Sequence, residues 1–158
     1  MTATTNKAAE VLSVALGKPT ETIHTYLGYV VHDDVDSGKS TLKRSKRWAP
    51  RNRVILFIDE CSMIDWRLHK AIKETMMNSK IIYVGDHSQL APVGEELSPI
   101  YQSNAPFIAL TQQMRNNNQP ALMNLAQQMR DTVASGLFKP IQIIPGVIDY
   151  LEPEELKQ

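Results

Sequence analysis

Val54-Ile55-Leu56-Phe57-Ile58-Asp59-Glu60 is an apolar run rich in β-branched and aromatic side chains that stops abruptly at two acids. A short continuous apolar run with polar ends predicts a strand buried on both faces, as in a parallel sheet. Ile81-Ile82-Tyr83-Val84 repeats the pattern, and Phe107-Ile108-Ala109-Leu110 predicts a third strand. Between the first two, Asp65 predicts the N-cap of a helix running to about Met77, with Leu68, Ile72 and Met76 at i, i+4 and i+8. Strand, helix, strand in about thirty residues is a βαβ unit. The fold class is therefore α/β with a parallel sheet.

Outward from this unit, a helix fits Asn6 to Leu16, with Ala8, Leu12 and Ala15 on one side and Gly17 as its stop. Another fits Gln119 to Val133 through Leu122, Leu125, Met129 and Val133, followed by Gly136. Residues 30–52 lack helical periodicity and hold the turn Asp36-Ser37-Gly38-Lys39, which predicts a small inserted hairpin. From Lys139 onward, Pro140, Pro145 and Pro153 predict irregular chain or short strands.

The 158 residues, 42% hydrophobic and 22% charged, suffice for one soluble domain with a real core. No apolar run approaches the roughly 20 residues that span a bilayer, so no membrane partner is expected. Met1 to Lys7 has no apolar signal core. The single cysteine, Cys61, excludes an internal disulfide framework and suits a reducing compartment, so the cytoplasm is expected. Lys+Arg and Asp+Glu both number 17, so net charge is silent about nucleic acid. Lys39, Lys43, Arg44, Lys46, Arg47, Arg51 and Arg53 nevertheless cluster without an acid among them. Such a run is usually a solvated loop, although Trp48 within it also suits a nucleic-acid contact.

Asp59 and Glu60 stand at the carboxyl end of the first strand, where open parallel sheets bind ligands. An aspartate there can hold Mg²⁺ through its water shell, and an adjacent glutamate can orient an attacking water. Taken alone, the pair is equally well a plain strand-to-loop boundary. The second strand, however, ends in Gly85-Asp86-His87-Ser88-Gln89-Leu90-Ala91-Pro92-Val93-Gly94. The glycine is expected to let the chain turn sharply, so that Asp86 and Gln89 project beside the first acids. The Gln89 amide can donate to a γ-phosphate oxygen and accept from the attacking water. After the third strand, Arg115 offers a permanent charge and a planar fork for phosphate oxygens.

In this order, Asp59-Glu60-Cys61-Ser62-Met63, Gly85 to Gly94, and Leu110 with Arg115 resemble motifs II (Walker B), III and IV of superfamily 1 DNA helicases of the RecD/Dda type. Upstream, Ala3-Thr4-Thr5-Asn6-Lys7-Ala8-Ala9 resembles motif Ia, and Thr22-Ile23-His24-Thr25-Tyr26-Leu27 resembles the Thr-Ile-His segment that follows it. The resemblance implies ATP and Mg²⁺ as cofactors and single-stranded DNA as partner. It implies Asp59 as the Mg²⁺ residue, Glu60 as the activator of water, Gln89 as γ-phosphate sensor and Arg115 as γ-phosphate contact. Thr5, Asn6, Lys7, Thr22 and His24 would line the strand groove and touch backbone phosphates. His24 is equally well a satisfied core histidine. Residues 39–53 fall where the family inserts a strand-separating pin, in which Trp48 is expected to be a half-buried packing residue rather than the wedge.

The family's Walker A loop, G-x-x-x-x-G-K-[ST], should precede motif Ia, and no match to it stands there. Gly38-Lys39-Ser40 has Asp33 at the first glycine position and no strand directly before it, and reads as a hairpin turn. Ala91 stands where many relatives have proline. The resemblance thus implies an incomplete RecA-like P-loop NTPase domain over residues 1–115, with the insertion at about 30–52, and the start of a second RecA-like domain over 116–158. The implied function is a fragment of a helicase translocating 5′ to 3′, without ATPase activity alone. Its partners would be DNA, the remaining helicase portions, or replication and recombination proteins. A non-catalytic DNA-binding or partner-binding module derived from the same fold is the alternative. The Met1-Thr2-Ala3-Thr4 segment is expected to leave an unpaired sheet edge.

Overall fold

The computed structural model describes residues 1–34, 39–112, 114 and 118–155 and comprises two compact units, Met1–Ala105 and Pro106–Gln158. In the first, β1 (Thr2–Ala3) leads through α1 (Asn6–Leu16) to β2 (Glu21–Thr22) and the short α2 (Ile23–Leu27). A hairpin of β3 (Tyr29–Asp34) and β4 (Lys39–Arg44) follows. Then come β5 (Arg51–Asn52), β6 (Ile55–Asp59), α3 (Trp66–Thr75), β7 (Met76–Met77) and β8 (Lys80–Tyr83). The second unit holds α4 (Pro120–Ser135) and a tail whose one bridge joins Ile144 to Ile148 among the described residues.

The helices start and stop where their end residues dictate. Thr5 caps α1 by accepting from the Ala8 N–H at 3.1 Å, and Gly17 closes it in the left-handed region at φ 61°. Asp65 caps α3 by accepting from the Leu68 N–H at 2.7 Å. Leu68 and Ile72 on α3, and Met76 just past its end, then bury one stripe into a core shared with Ile23, Leu27, Leu56, Ile58 and Ile64. Gly136, at φ 69°, ends α4.

The central sheet is wholly parallel, in the order β2-β1-β6-β8. From β1 to β2 the chain steps one way along it, and from β6 to β8 the other. Because βαβ crossovers are right-handed almost without exception, this order implies α1 and α3 on opposite faces, with a topological switch point between β1 and β6. Met1–Thr4 therefore departs from expectation: it supplies an interior strand paired on both sides, and the sheet's edges are β2 and β8. Strand β6 also departs, because only Leu56 and Ile58 are buried. Ile55 and Phe57 share the other face with Ile82 and Val84, and that strip is open to solvent.

The expected hairpin is present, with register from Tyr29↔Arg44 to Asp34↔Lys39; residues 35–38 of its turn lie outside the described residues. It is docked rather than free. Arg44 donates to Tyr29 Oη and pairs with Glu74 on α3, and its guanidinium lies 3.9 Å from the centre of the Trp48 ring. Trp48 is half-buried and donates from Nε1 to Thr75 Oγ1 at 3.1 Å, which is the packing role. Gly28, at φ 73°, is obligatory here, because a Cβ would lie 2.6 Å from the Trp48 backbone.

The predicted third strand does not form. Residues 107–110 pair with no strand among the described residues, and Ile108 is 92% exposed. Apolar character identifies a segment that suits a ladder; it cannot supply the neighbouring strand that makes one.

Truncating Ile72, which is fully buried, to alanine is expected to cost about 2–5 kcal/mol through lost burial and the cavity left behind. Val14→Ala on the exposed side of α1 should stay within about 0.5 kcal/mol of the parent. Urea titration of both variants measures the contrast.

Candidate nucleotide and nucleic-acid site

Every strand of a parallel sheet delivers its following loop to the same edge. Along that carboxyl edge the strand order places Thr22 at the end of β2 and His24 just past it, and Thr5, Asn6 and Lys7 after β1. Asp59 and Glu60 follow at the end of β6, and Gly85 to Gln89 after β8. The paired acids and the glutamine loop are direct neighbours because β6 and β8 pair from Ile55↔Lys80 to Ile58↔Tyr83. Two bonds extend this contact beyond the strands, Val84 N–H to Ile58 O at 2.9 Å and Cys61 N–H to Val84 O at 3.0 Å.

Asp59 and Glu60 sit at the switch point. Both are half-buried, and the Glu60 N–H donates to Asp59 Oδ1 at 3.0 Å, which leaves Oδ2 outside that bond. Glu60 adopts φ 55° and ψ 42°, a left-handed conformation that costs a non-glycine residue roughly 1–2 kcal/mol. Thr4 Oγ1 and the Met63 N–H both donate to the Glu60 carbonyl, at 3.1 and 3.2 Å, and hold the residue there. In the sequence Thr4 is visible only as a member of the motif Ia stretch, with nothing to mark it as a partner of Glu60.

Gln89 is exposed, in a turn closed by its N–H on Asp86 O at 3.1 Å, and Asp86 Oδ1 accepts from the Ser88 N–H. Gly85 is needed for a reason other than a sharp turn, since its backbone is not left-handed. A Cβ at that position would lie 2.8 Å from both Cys61 Sγ and Tyr101 Oη, so glycine permits the close approach of the two loops. Burial pushes the Cys61 thiol and the Tyr101 hydroxyl up, and it raises Tyr83 to about 12, so all three are neutral at ordinary pH.

On the other half of the edge, Thr5 and Thr22 are committed to capping α1 and α2. Asn6 is exposed, and Lys7 is exposed with an ion pair to Glu10 at 2.9 Å that solvent weakens. His24 is half-buried; burial lowers its pKa, partly offset by Asp65. Arg115 lies outside the described residues. Gly38-Lys39-Ser40 fails as a phosphate loop on structural grounds, because Lys39 opens a strand where such a loop opens a helix.

No group of three or more His, Cys, Asp or Glu side chains able to hold a metal occurs among the described residues.

These features define an α/β domain of the RecA-like P-loop type, with its ligand edge at a topological switch point. The chain belongs to the AAA domain family, whose model matches residues 1–95, more than half of the 158. It is a helicase-like, nucleotide-binding domain of a family that uses a nucleotide with Mg²⁺. No helix among the described residues is long and apolar enough to cross a membrane.

His69, buried on α3 against Trp66, is also lowered by burial, with Lys73 adding to the effect. Both folded-state values lie below the ordinary 6.5, so the unfolded chain binds more protons as pH falls. The stability they contribute is complete above 6.5 and is lost as pH drops through the folded values. Melting temperature should fall between about pH 7.5 and about pH 5.5, and the double variant His24→Gln/His69→Gln should flatten that slope.

Proposed function

We propose that this chain is the central part of an ATP-dependent DNA helicase of the RecD/Dda type in superfamily 1. The observation that carries the reading is the Asp59-Glu60 pair at the switch point, with Glu60 held in a left-handed conformation. A domain without catalysis has no use for a carboxylate kept at such a cost, which favours the motor over the DNA-binding or partner-binding module. Asp59 would hold Mg²⁺ through its water shell, Glu60 would activate the attacking water, and Gln89 would sense the γ-phosphate. The role of Arg115 as γ-phosphate contact is carried over on sequence alone.

Single-stranded DNA would cross the β2–β1 half of the edge, meeting Thr5, Asn6, Lys7, Thr22 and His24 through its phosphates. Translocation would run 5′ to 3′, the direction that the resemblance implies. The single buried thiol, Cys61, suits the reducing cytoplasm. Residues 116–158, with α4, would begin a second RecA-like domain. Residues 1–158 contain no Walker A sequence, so the phosphate-binding loop would come from the remaining helicase portions, as partners in cis or in trans. Replication or recombination proteins are further partners of such a motor.

Residues 1–158 alone should show no ATP hydrolysis above background with or without single-stranded DNA. DNA-stimulated turnover would overturn the view that the loop lies elsewhere. Anisotropy titration with a labelled oligothymidine should detect salt-sensitive binding. Lys7→Ala should weaken it and reduce the slope of log K against log salt by about 0.7. An unchanged slope removes Lys7 from the groove.

A further inference from the structure

The segment after the glutamine loop, Glu95 to Tyr101, carries no chemistry of its own in the reading above, yet it is laced to the residues that follow Glu60. Glu95 Oε1 accepts from the Trp66 N–H at 3.1 Å. Ser98, 1% exposed, donates from Oγ to the Ile64 carbonyl at 2.7 Å. Tyr101 Oη accepts from the Cys61 thiol at 3.5 Å. Positions 95, 98 and 101 thus meet 66, 64 and 61 in reverse order. One turn closes from Glu95 N–H to Pro92 O and another from Tyr101 N–H to Ser98 O. The second brings the side chains of Ser98 and Tyr101, three residues apart, to one side. Pro99 is buried among them.

Tyr101 also reaches the loop after β8. Its ring meets that of His87 edge-on, with centroids 6.2 Å apart, and its hydroxyl occupies the space that a Cβ on Gly85 would need. One phenol side chain therefore touches the loop of the paired acids through Cys61 and the glutamine loop through Gly85 and His87.

We propose that Glu95, Ser98 and Tyr101 form a strap of positioning residues that couples the Gln89 loop to the Glu60 loop, with Tyr101 as the junction. The catalytic meaning of this coupling rests on the helicase reading; the mechanical coupling does not. A residue in a costly backbone conformation stays there only if its surroundings over-determine it. Thr4 secures the carbonyl of Glu60 from β1, and the strap secures the 61–66 segment on its other side. A displacement of the Gln89 loop then cannot leave Glu60 untouched, because both loops rest on the same ring.

The test uses residues 1–158 without nucleotide or DNA and reads backbone amides by NMR and hydrogen exchange. The Cys61, Met63 and Ile64 amides, all bonded in the folded chain, report the acid loop. Tyr101→Phe, which removes only the hydroxyl, and Ser98→Ala should each speed exchange there about fivefold, the effect of one lost hydrogen bond. Amides within α1 should not change. Ser103→Ala removes a bond to Ile100 that does not reach this segment, and serves as the control. In the parent, His87→Ala should shift the Cys61 and Ser62 signals; in a Tyr101→Leu background it should shift neither.

Unchanged exchange in both strap variants overturns the proposal. So does acceleration spread evenly over the unit, which a merely structural role would give, or a His87 effect that survives loss of the ring. If coupling holds while DNA binding fails, the helicase reading alone falls.

Discussion

Two pairs of residues, Thr2 with Ile58 and Ala3 with Asp59, join the halves of the central sheet. On one side of that seam the chain winds through α1 to β2; on the other it winds through α3 to β8. Because the two crossovers diverge from the seam, the paired acids stand at the kind of switch point where open α/β sheets bind ligands. Thr4 continues the seam past the strands, giving its N–H to Asp59 O and its hydroxyl to Glu60 O. The candidate nucleic-acid half of the edge depends on the same seam, since β2 is held to the sheet only through β1.

How much of this was legible depends on where each element draws its stability. Strands β6 and β8 and helices α1, α3 and α4 carry their own signals: apolar runs, periodic stripes, Asp65 as a cap, Gly17 and Gly136 as stops. Their bounds fell within a residue or two of the reading. Strands β1 and β2 are two residues each, with Thr2, Glu21 and Thr22 among them, and exist only because β6 offers a ladder to extend. No local pattern announces such a strand. Phe107 to Leu110 shows the converse, a strand-like run without a ladder. At the site, the place of Asp59 and Glu60 was readable from the strand's end. The left-handed turn at Glu60 and the crowding at Gly85 were not, because both arise from neighbours distant in sequence.

The loops at this edge are held by mixed bonds rather than by regular structure, and the satisfaction is not complete. Ser62 Oγ, beside the acid pair, and Glu95 Oε2, at the head of α3, are buried without a partner. An unsatisfied buried polar atom costs roughly 1–3 kcal/mol, comparable to what one good hydrogen bond returns. The edge is thus firm in its attachments to the sheet and less fully bonded within its loops.

The backbone of Glu60 has a consequence for how this sequence can change over generations. In a left-handed turn, glycine relieves roughly 1–2 kcal/mol of strain and gives back only about 0.4–1 kcal/mol through a looser unfolded chain. Mutation under selection for folding alone would therefore carry position 60 toward glycine, or toward asparagine, which tolerates the turn. A lineage that had given up its chemistry would record the fact here early. Under the motor function proposed above, the carboxylate of Glu60 would outweigh the fold's own preference at this position.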